Sequence, residues 1–293
     1  MSQWNIKRKG YGEEMRLWEK GSVVYLTFPV LDREEWLLHG FSTRLGGTSQ
    51  GDLSSMNLSF GRGDERERVM ENYRRISQAI GFQMENLVAS DQTHTNHVRA
   101  VSIEDAGKGI FCQKDYQDVD GLVTDTPGLM LVTYYADCVP LYFADPVHRA
   151  VGLSHSGWRG TVGDIAGETV RRMEREYGTR PEDLIGAIGP SICQDCYQVS
   201  QDVIDQVKEA YPADLWPEIF KEDPLQKAGE KKYRLNLWEA CRQNMIRAGM
   251  LPERIAVTDL CTCCNPDLLF SHRASGGKRG NLAAFLGIRR QVF

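Results

Sequence analysis

Histidine is scarce in this chain: six residues, His39, His94, His97, His148, His155 and His272, in a length of 293. A full set of multicopper centres takes on the order of ten imidazoles, because imidazole and thiolate are copper's preferred ligands. Six cannot supply it, whereas one metal ion with two or three protein ligands is within reach. Basic excess is missing too. Thirty-five Lys+Arg face 40 Asp+Glu, a net charge of -5. That argues against wrapping nucleic acid or lying on an anionic membrane, but leaves small anionic ligands open, since these need only a few placed cations. No apolar run spans a bilayer: the longest, Gly128 to Ala144, is broken by Asp137 and Pro140. Met1 to Gly10 is polar and has no signal-peptide core, so a soluble, cytoplasmic protein is expected. Also absent are H-E-x-x-H, a Walker loop, G-x-S-x-G and the H-x-E signature of zinc nucleobase deaminases.

What is present is globular in kind. A hydrophobic fraction of 41% and a charged fraction of 26% exclude wholesale disorder. The length allows two domains of ~150 residues or one large α/β unit. With no internal repeat, low-complexity run or clear linker, one compact α/β or α+β domain over residues 1–293 is expected. β-branched and apolar runs predict strands at 22–28, 86–90, 129–135, 139–144, 150–154, 184–188 and 254–258, with a short apolar run at 121–124. Amphipathic spacing predicts helices at 66–81, about 162–177, 201–210 and 237–248. Segment 261–279 reads as a polar Cys/Ser/Gly loop before an apolar C-terminal stretch.

The chemistry-bearing residues fall at strand ends. His94, Cys138 and His155 each lie at or just beyond a predicted strand, where one sheet edge can gather side chains that are distant in sequence. Two imidazoles and a thiolate suit Zn2+ with a fourth position open. Their spacing is not that of a zinc finger, however, and an alternative stays open: local hydrogen bonds for the histidines and a small buried hydrophobe at Cys138. A second chemical reading makes Cys138 a nucleophile activated by His155, as in a thiol hydrolase or acyl transferase. Asp137 is placed to orient an imidazole or carry a proton, or simply to end a strand. His97 is expected outside the cluster or on the surface. Gly157-Trp158-Arg159-Gly160 precedes a predicted helix, where free backbone N–H groups and Arg159 favour an anion. Arg44, in the loop Phe41 to Ser49, could reach a pocket.

The eight cysteines, in a chain large enough to bury its own core, read as buried thiols, metal ligands or a nucleophile rather than as disulfides. Cys193 and Cys196 form a C-x-x-C, and Cys261, Cys263 and Cys264 cluster. Together they make a candidate second thiolate site, but the usual zinc-ribbon spacing is not met. Buried, redox-inert thiols are expected there.

In order along the chain, Phe41-Ser42-Thr43-Arg44-Leu45-Gly46-Gly47, Gln92-Thr93-His94, Asp118-Val119-Asp120-Gly121, Ala136-Asp137-Cys138-Val139-Pro140, His155-Ser156-Gly157-Trp158-Arg159-Gly160 and Ile188-Gly189-Pro190-Ser191-Ile192 resemble the YlmD/YfiH family. Its members were once called laccase-like or multicopper polyphenol oxidoreductases, and are now described as purine nucleoside phosphorylases with adenosine deaminase activity. The resemblance runs from about residue 41 to the C-terminus. It implies a layered α/β sandwich of mixed sheets with flanking helices, related to cysteine-hydrolase folds. It further implies metal ligands at His94, Cys138 and His155, with zinc expected and copper the alternative, and substrate contacts at Arg44 and Arg159. The implied substrates are phosphate and purine nucleosides: adenosine, inosine and methylthioadenosine. Catalytic roles then fall on Cys138, His155 and Asp137. The tail departs from many members, which carry Tyr–Arg–Arg where this chain has Ser271-His272-Arg273-Ala274, so a role for Arg273 has His272 beside it. A cysteine hydrolase, a copper-dependent phenol oxidase and a non-enzymatic binding protein are the competing classes.

Overall fold

The computed structural model describes residues 5–225 and 231–290. Its strands form two six-stranded sheets and one small three-stranded sheet. The first sheet runs in spatial order through Arg16–Lys20, Val23–Thr27, Leu37–Ser42, Leu282–Ile288, Met130–Tyr135 and Leu87–Ala89. The second runs through Ile255–Val257, Ile185–Ile188, Val139–Asp145, Ala150–Ser156, Gly121–Thr124 and Val98–Ala100. Both are mixed. The central ladders are antiparallel, and Leu87–Ala89, Val98–Ala100 and Ile255–Val257 join as parallel edge strands.

Side-chain alternation along the strands builds the layers. Leu131, Ala284, Leu286, Tyr142, Ala144 and Leu153 point between the two large sheets and form one apolar core. Their chain neighbours Met130, Val132, Ala283 and Phe285 face outward from the first sheet, against Val69, Tyr73 and Ile76 of the Arg66–Ile80 helix. Leu141, Phe143, Val123 and Ala150 face the other way, under the Ile165–Tyr177 and Leu237–Arg247 helices. The result is helix, sheet, sheet, helices: the layered sandwich of mixed sheets that the sequence implied. Strands covered on both faces are apolar at every position rather than at alternate ones, which is why Val139–Asp145 and Ala150–Ser156 are buried throughout.

The same coverage explains what patterning missed. Leu282–Ile288 is apolar throughout and carries no period of two, yet it is a central strand of the first sheet. Leu37–Ser42 is also a strand and takes in the start of the expected Arg44 loop. The small sheet of Gln198–Ser200, Lys232–Leu235 and Phe220–Glu222 is too short for a pattern to register. The helix expected at about 162–177 is two: Trp158–Val162, then Ile165–Tyr177, separated by Gly163 and Asp164. Asp164 caps the second helix by accepting from the Gly167 N–H at 3.1 Å, so that helix start is already occupied by a carboxylate of its own chain and offers no anion site.

Four connections carry the chain from one large sheet to the other: residues 90–97, 125–129, 136–138 and 258–281. The first, third and fourth meet at one end of the sandwich. No helix among the described residues is long and apolar enough to cross a membrane. Truncating Phe285, fully buried and packed on Phe82 at 5.3 Å between ring centroids, is expected to lower the unfolding free energy by about 3–5 kcal/mol. Urea denaturation of Phe285→Ala checks it, and an unchanged midpoint would remove the outer layer from the core.

Candidate metal centre

The ladder register brings the first two donors together. Pro140 pairs with His155 across the antiparallel hairpin, so Cys138, just before its strand, stands beside the end of the strand that carries His155. His94 arrives on the 90–97 crossover. The Cys138 sulfur lies 3.9 Å from His94 Nε2, and the two imidazoles sit 5.0 Å apart between ring centroids, nearly perpendicular at 76°. One donor atom from each of His94, Cys138 and His155 lies within 4.8 Å of the others. A side chain at Gly157 would reach 2.8 Å from the His94 ring and 3.2 Å from the Cys138 sulfur, so only glycine leaves that space to the donors.

Asp120 holds the group in place. It precedes the Gly121–Thr124 strand, and its carbonyl accepts the His155 backbone N–H at 2.8 Å. Its carboxylate accepts from His155 Nδ1 at 2.7 Å and from the N–H groups of Thr93, His94 and Thr95 at 3.0, 3.1 and 2.9 Å. With Nδ1 donating to Asp120, the other imidazole nitrogen of His155 is free to bind a metal. Burial alone would raise the Asp120 pKa, but His155 and these N–H groups hold it below the ordinary carboxylate value. Burial likewise works against both members of the Cys138–His155 pair. Even so, the two histidines draw Cys138 down to about 6, and Cys138 with Asp120 lifts His155 to about 9. Each stabilises the other's charge, which is the electrostatics expected of a thiolate and imidazole donor set. Three non-glycine residues here, His94, Asp118 and Asp137, have φ of 68°, 55° and 91°. Each such conformation costs on the order of 1–3 kcal/mol, a strain that characteristically gathers at functional sites.

Two cavities share a wall made by His94, Ala136, Cys138 and Arg279. The first, about 380 Å3, is also lined by Phe60, Gln92, Lys114, Tyr134, His155 and Asn281. The second, about 330 Å3, is lined by Asp137, Trp158, Arg159, Tyr197, His272 and Arg273. Among the site residues expected from sequence, the structure therefore assembles His94, Cys138 and His155, and places Asp137 and Arg159 beside them. The Arg159 guanidinium lies over the Trp158 ring at 4.5 Å. Arg44 lines neither cavity. Its guanidinium donates to the carbonyls of Ser54 and Pro266 at 2.8–2.9 Å and stacks on Phe270, so it ties loops together. His97 turns to the Asp118 carbonyl. Asp137 accepts from Thr262 Oγ1 at 2.6 Å and from the Arg273 N–H at 2.7 Å. Arg279 escaped the sequence reading. Its Nε is buried without a partner, as is Asn281 Oδ1, and burial brings its pKa down to about 10. The glycines flanking Lys278-Arg279 were the available signal.

The donor set suits one borderline-soft divalent ion with an open position. Asp120→Asn keeps an acceptor for the loop N–H groups but weakens the hold on His155, and is expected to lower affinity for added Zn2+ by about 10–100-fold. Competition with a chromogenic chelator measures it, and an undiminished affinity would show that the carboxylate does not brace the ligand.

Residues 38–289 match the family described as multi-copper polyphenol oxidoreductase laccase. The purine nucleoside phosphorylase YlmD of Geobacillus stearothermophilus is 37% identical over 258 residues, 86% of this chain and 90% of that protein. The purine nucleoside phosphorylase YlmD of Bacillus subtilis is 36% identical over 259 residues, 86% of this chain and 89% of that protein. Among solved structures, the Bacillus licheniformis hypothetical protein YfiH superposes with a TM-score of 0.84 at 34% identity, covering 94% of this chain and 99% of that one. YlmD from Geobacillus stearothermophilus superposes with a TM-score of 0.82, again at 34% identity and over 94% and 99% of the two chains. With this coverage and identity, the chain belongs to the multi-copper polyphenol oxidoreductase laccase family, alongside the YlmD and YfiH proteins.

Proposed function

We propose that this protein is a zinc-dependent purine nucleoside phosphorylase that also deaminates adenosine, with His94, Cys138 and His155 as the metal ligands. One observation carries the reading: the three donors converge where two cavities meet, His94 and Cys138 in the wall they share and His155 in the first, and the second bears Arg159, Arg273 and Arg279. The names of the relatives support the same class of reaction. Bound zinc supplies Lewis acidity, polarising a donor atom or acidifying water near neutral pH.

Phosphorolysis forms a bond from a phosphate oxygen to the anomeric carbon of ribose and breaks the glycosidic C–N bond. The purine leaves with the electron pair and takes up a proton. Arg159 donates to the phosphate directly, and Arg273, whose guanidinium is tied to the Cys196 and Gln198 carbonyls, contributes its charge to neutralising it. Tyr134, Asn281 and Phe60 in the other cavity receive the purine, with Gln92 and Arg279 as further polar residues of its lining. Asp137, with both oxygens already accepting, is assigned to hold the Arg273 segment. The proton-carrying role expected from its place beside Cys138 gives way to that positioning one.

The lowered thiol pKa of Cys138 favours a second reading, a cysteine hydrolase. The two part on metal. Under the phosphorylase reading, added Zn2+ shields Cys138 from alkylation and supports turnover; under the hydrolase reading, zinc inhibits and Cys138→Ser abolishes acyl transfer.

Incubated with phosphate and adenosine, the zinc-loaded protein is expected to release adenine and ribose 1-phosphate, with inosine and hypoxanthine from deamination, resolved by chromatography. No free base under these conditions defeats the proposal. Arg159→Ala is expected to raise KM for phosphate about tenfold or more, the loss of one charge-assisted hydrogen bond of about 1.5–3 kcal/mol, with little change in KM for the nucleoside. Steady-state kinetics with each substrate varied in turn distinguish the two constants.

A further inference from the structure

Behind the arginine-bearing cavity, four more cysteines converge. Along the chain these read as redox-inert thiols without a ribbon spacing. Yet Cys261 and Cys264 repeat the C-x-x-C step of Cys193 and Cys196, and the fold superimposes the two steps. The four sulfurs of Cys193, Cys196, Cys261 and Cys264 lie within 4.8 Å of one another, with Cys196 and Cys264 3.5 Å apart. Cys193 and Cys261 are fully buried, and no disulfide links any of the four. A zinc ion in a tetrahedron of thiolates at about 2.3 Å spaces its sulfurs about 3.8 Å apart, so this cluster already has nearly the dimensions of such a site.

We propose that these four cysteines bind a second, structural ion of the zinc class, separate from the His94–Cys138–His155 centre. Binding converts four thiols to thiolates and releases their protons to solvent, leaving the site with a charge of -2. The surroundings suit that charge. The Cys193 N–H donates to the Cys261 sulfur at 3.3 Å, and the Lys9 ammonium, paired with Asp195 of the first C-x-x-C at 3.2 Å, brings a positive charge to the segment that carries two of the sulfurs. The ion ties together segments that nothing in the chain order joins. Ser191 bridges Cys261, and Thr262 N–H donates to the Ser191 carbonyl at 3.0 Å. Arg273 reaches back to the Cys196 carbonyl at 3.1 Å, and Ile192 and Tyr197, flanking the first C-x-x-C, line the cavity. The ion is therefore a brace for one wall of that cavity, not a reactant.

The test removes the other centre. The His94→Ala/His155→Ala double variant, purified without an affinity metal, is expected to retain about one zinc per chain by elemental analysis. Replaced by Co2+, it should give the intense sulfur-to-cobalt absorption of a tetrahedral tetrathiolate. Adding Cys264→Ser should abolish both. If that variant fails to fold, the same cobalt spectrum is read on the double variant, with thiol alkylation of the four cysteines followed by peptide mass before and after chelation: protection that is lost on chelation supports the site. Metal-free double variant with four freely alkylated thiols, or with a mass lowered by the hydrogens of two disulfides, overturns it. Because the first centre is absent throughout, none of these outcomes depends on what that centre does.

Discussion

The site rests on one buried carboxylate. Asp120 is fully enclosed, and its paired His155 is nearly so at 3% exposure. A charge so placed is tolerable only with its hydrogen-bonding capacity filled. The partners that fill it are the ring of one donor residue and the backbone of the loop that carries another. The requirement to satisfy Asp120 thus fixes where His155 points and where His94 stands. It also makes the left-handed backbone at His94 affordable, because several hydrogen bonds to charge outweigh a strain of about 1–3 kcal/mol.

The fold provides the place for that carboxylate. Two large sheets facing each other must be connected, and here the connections at 90–97, 136–138 and 258–281 lie together at one end. Loops at such an end are free of ladder hydrogen bonds and can aim side chains into the space between them. The crossovers deliver, respectively, His94, Asp137 with Cys138, and Arg273 with Arg279. Cavities on either side of the His94 and Cys138 side chains follow from this convergence. So does the proximity of the four-cysteine cluster, since its second half begins the last crossover.

The donor inventory bears on the family's multicopper description. Each remaining histidine has a different environment: His39 is buried and accepts from the Phe28 N–H, His148 pairs with Asp145, His97 meets a backbone carbonyl, and His272 lines a cavity. Among the described residues, the only imidazole-containing constellation of three donors is His94, Cys138 and His155. A single ion with two nitrogens and one sulfur is compatible with Lewis-acid chemistry, but it is not the several centres that a multicopper enzyme needs.

Much of this was legible along the chain, and the limits have physical causes. Alternation and apolar runs placed the paired strands around 130–156 and the long helix from Arg66, and residue chemistry singled out His94, Cys138 and His155, because their types and strand-end positions are local properties. Leu282–Ile288 gave no period because both its faces are covered, and Arg44 looked like a substrate contact because nothing local reveals that three carbonyl contacts already occupy it. Arg279 carries no local signal for the same reason, and the candidate thiolate site at Cys193, Cys196, Cys261, Cys263 and Cys264 reads as inert thiols along the chain, because its meaning lies in distance through space. The sequence by itself determined which atoms were available to bind metal and anion and which of the patterned segments, such as 129–135, 139–144 and 150–154, would be strands. Only the tertiary structure decided that three donors converge, that Asp120 orients them and that four cysteines close on one point, since these follow from sheet register and crossover geometry, which are set by contacts among residues far apart in the chain.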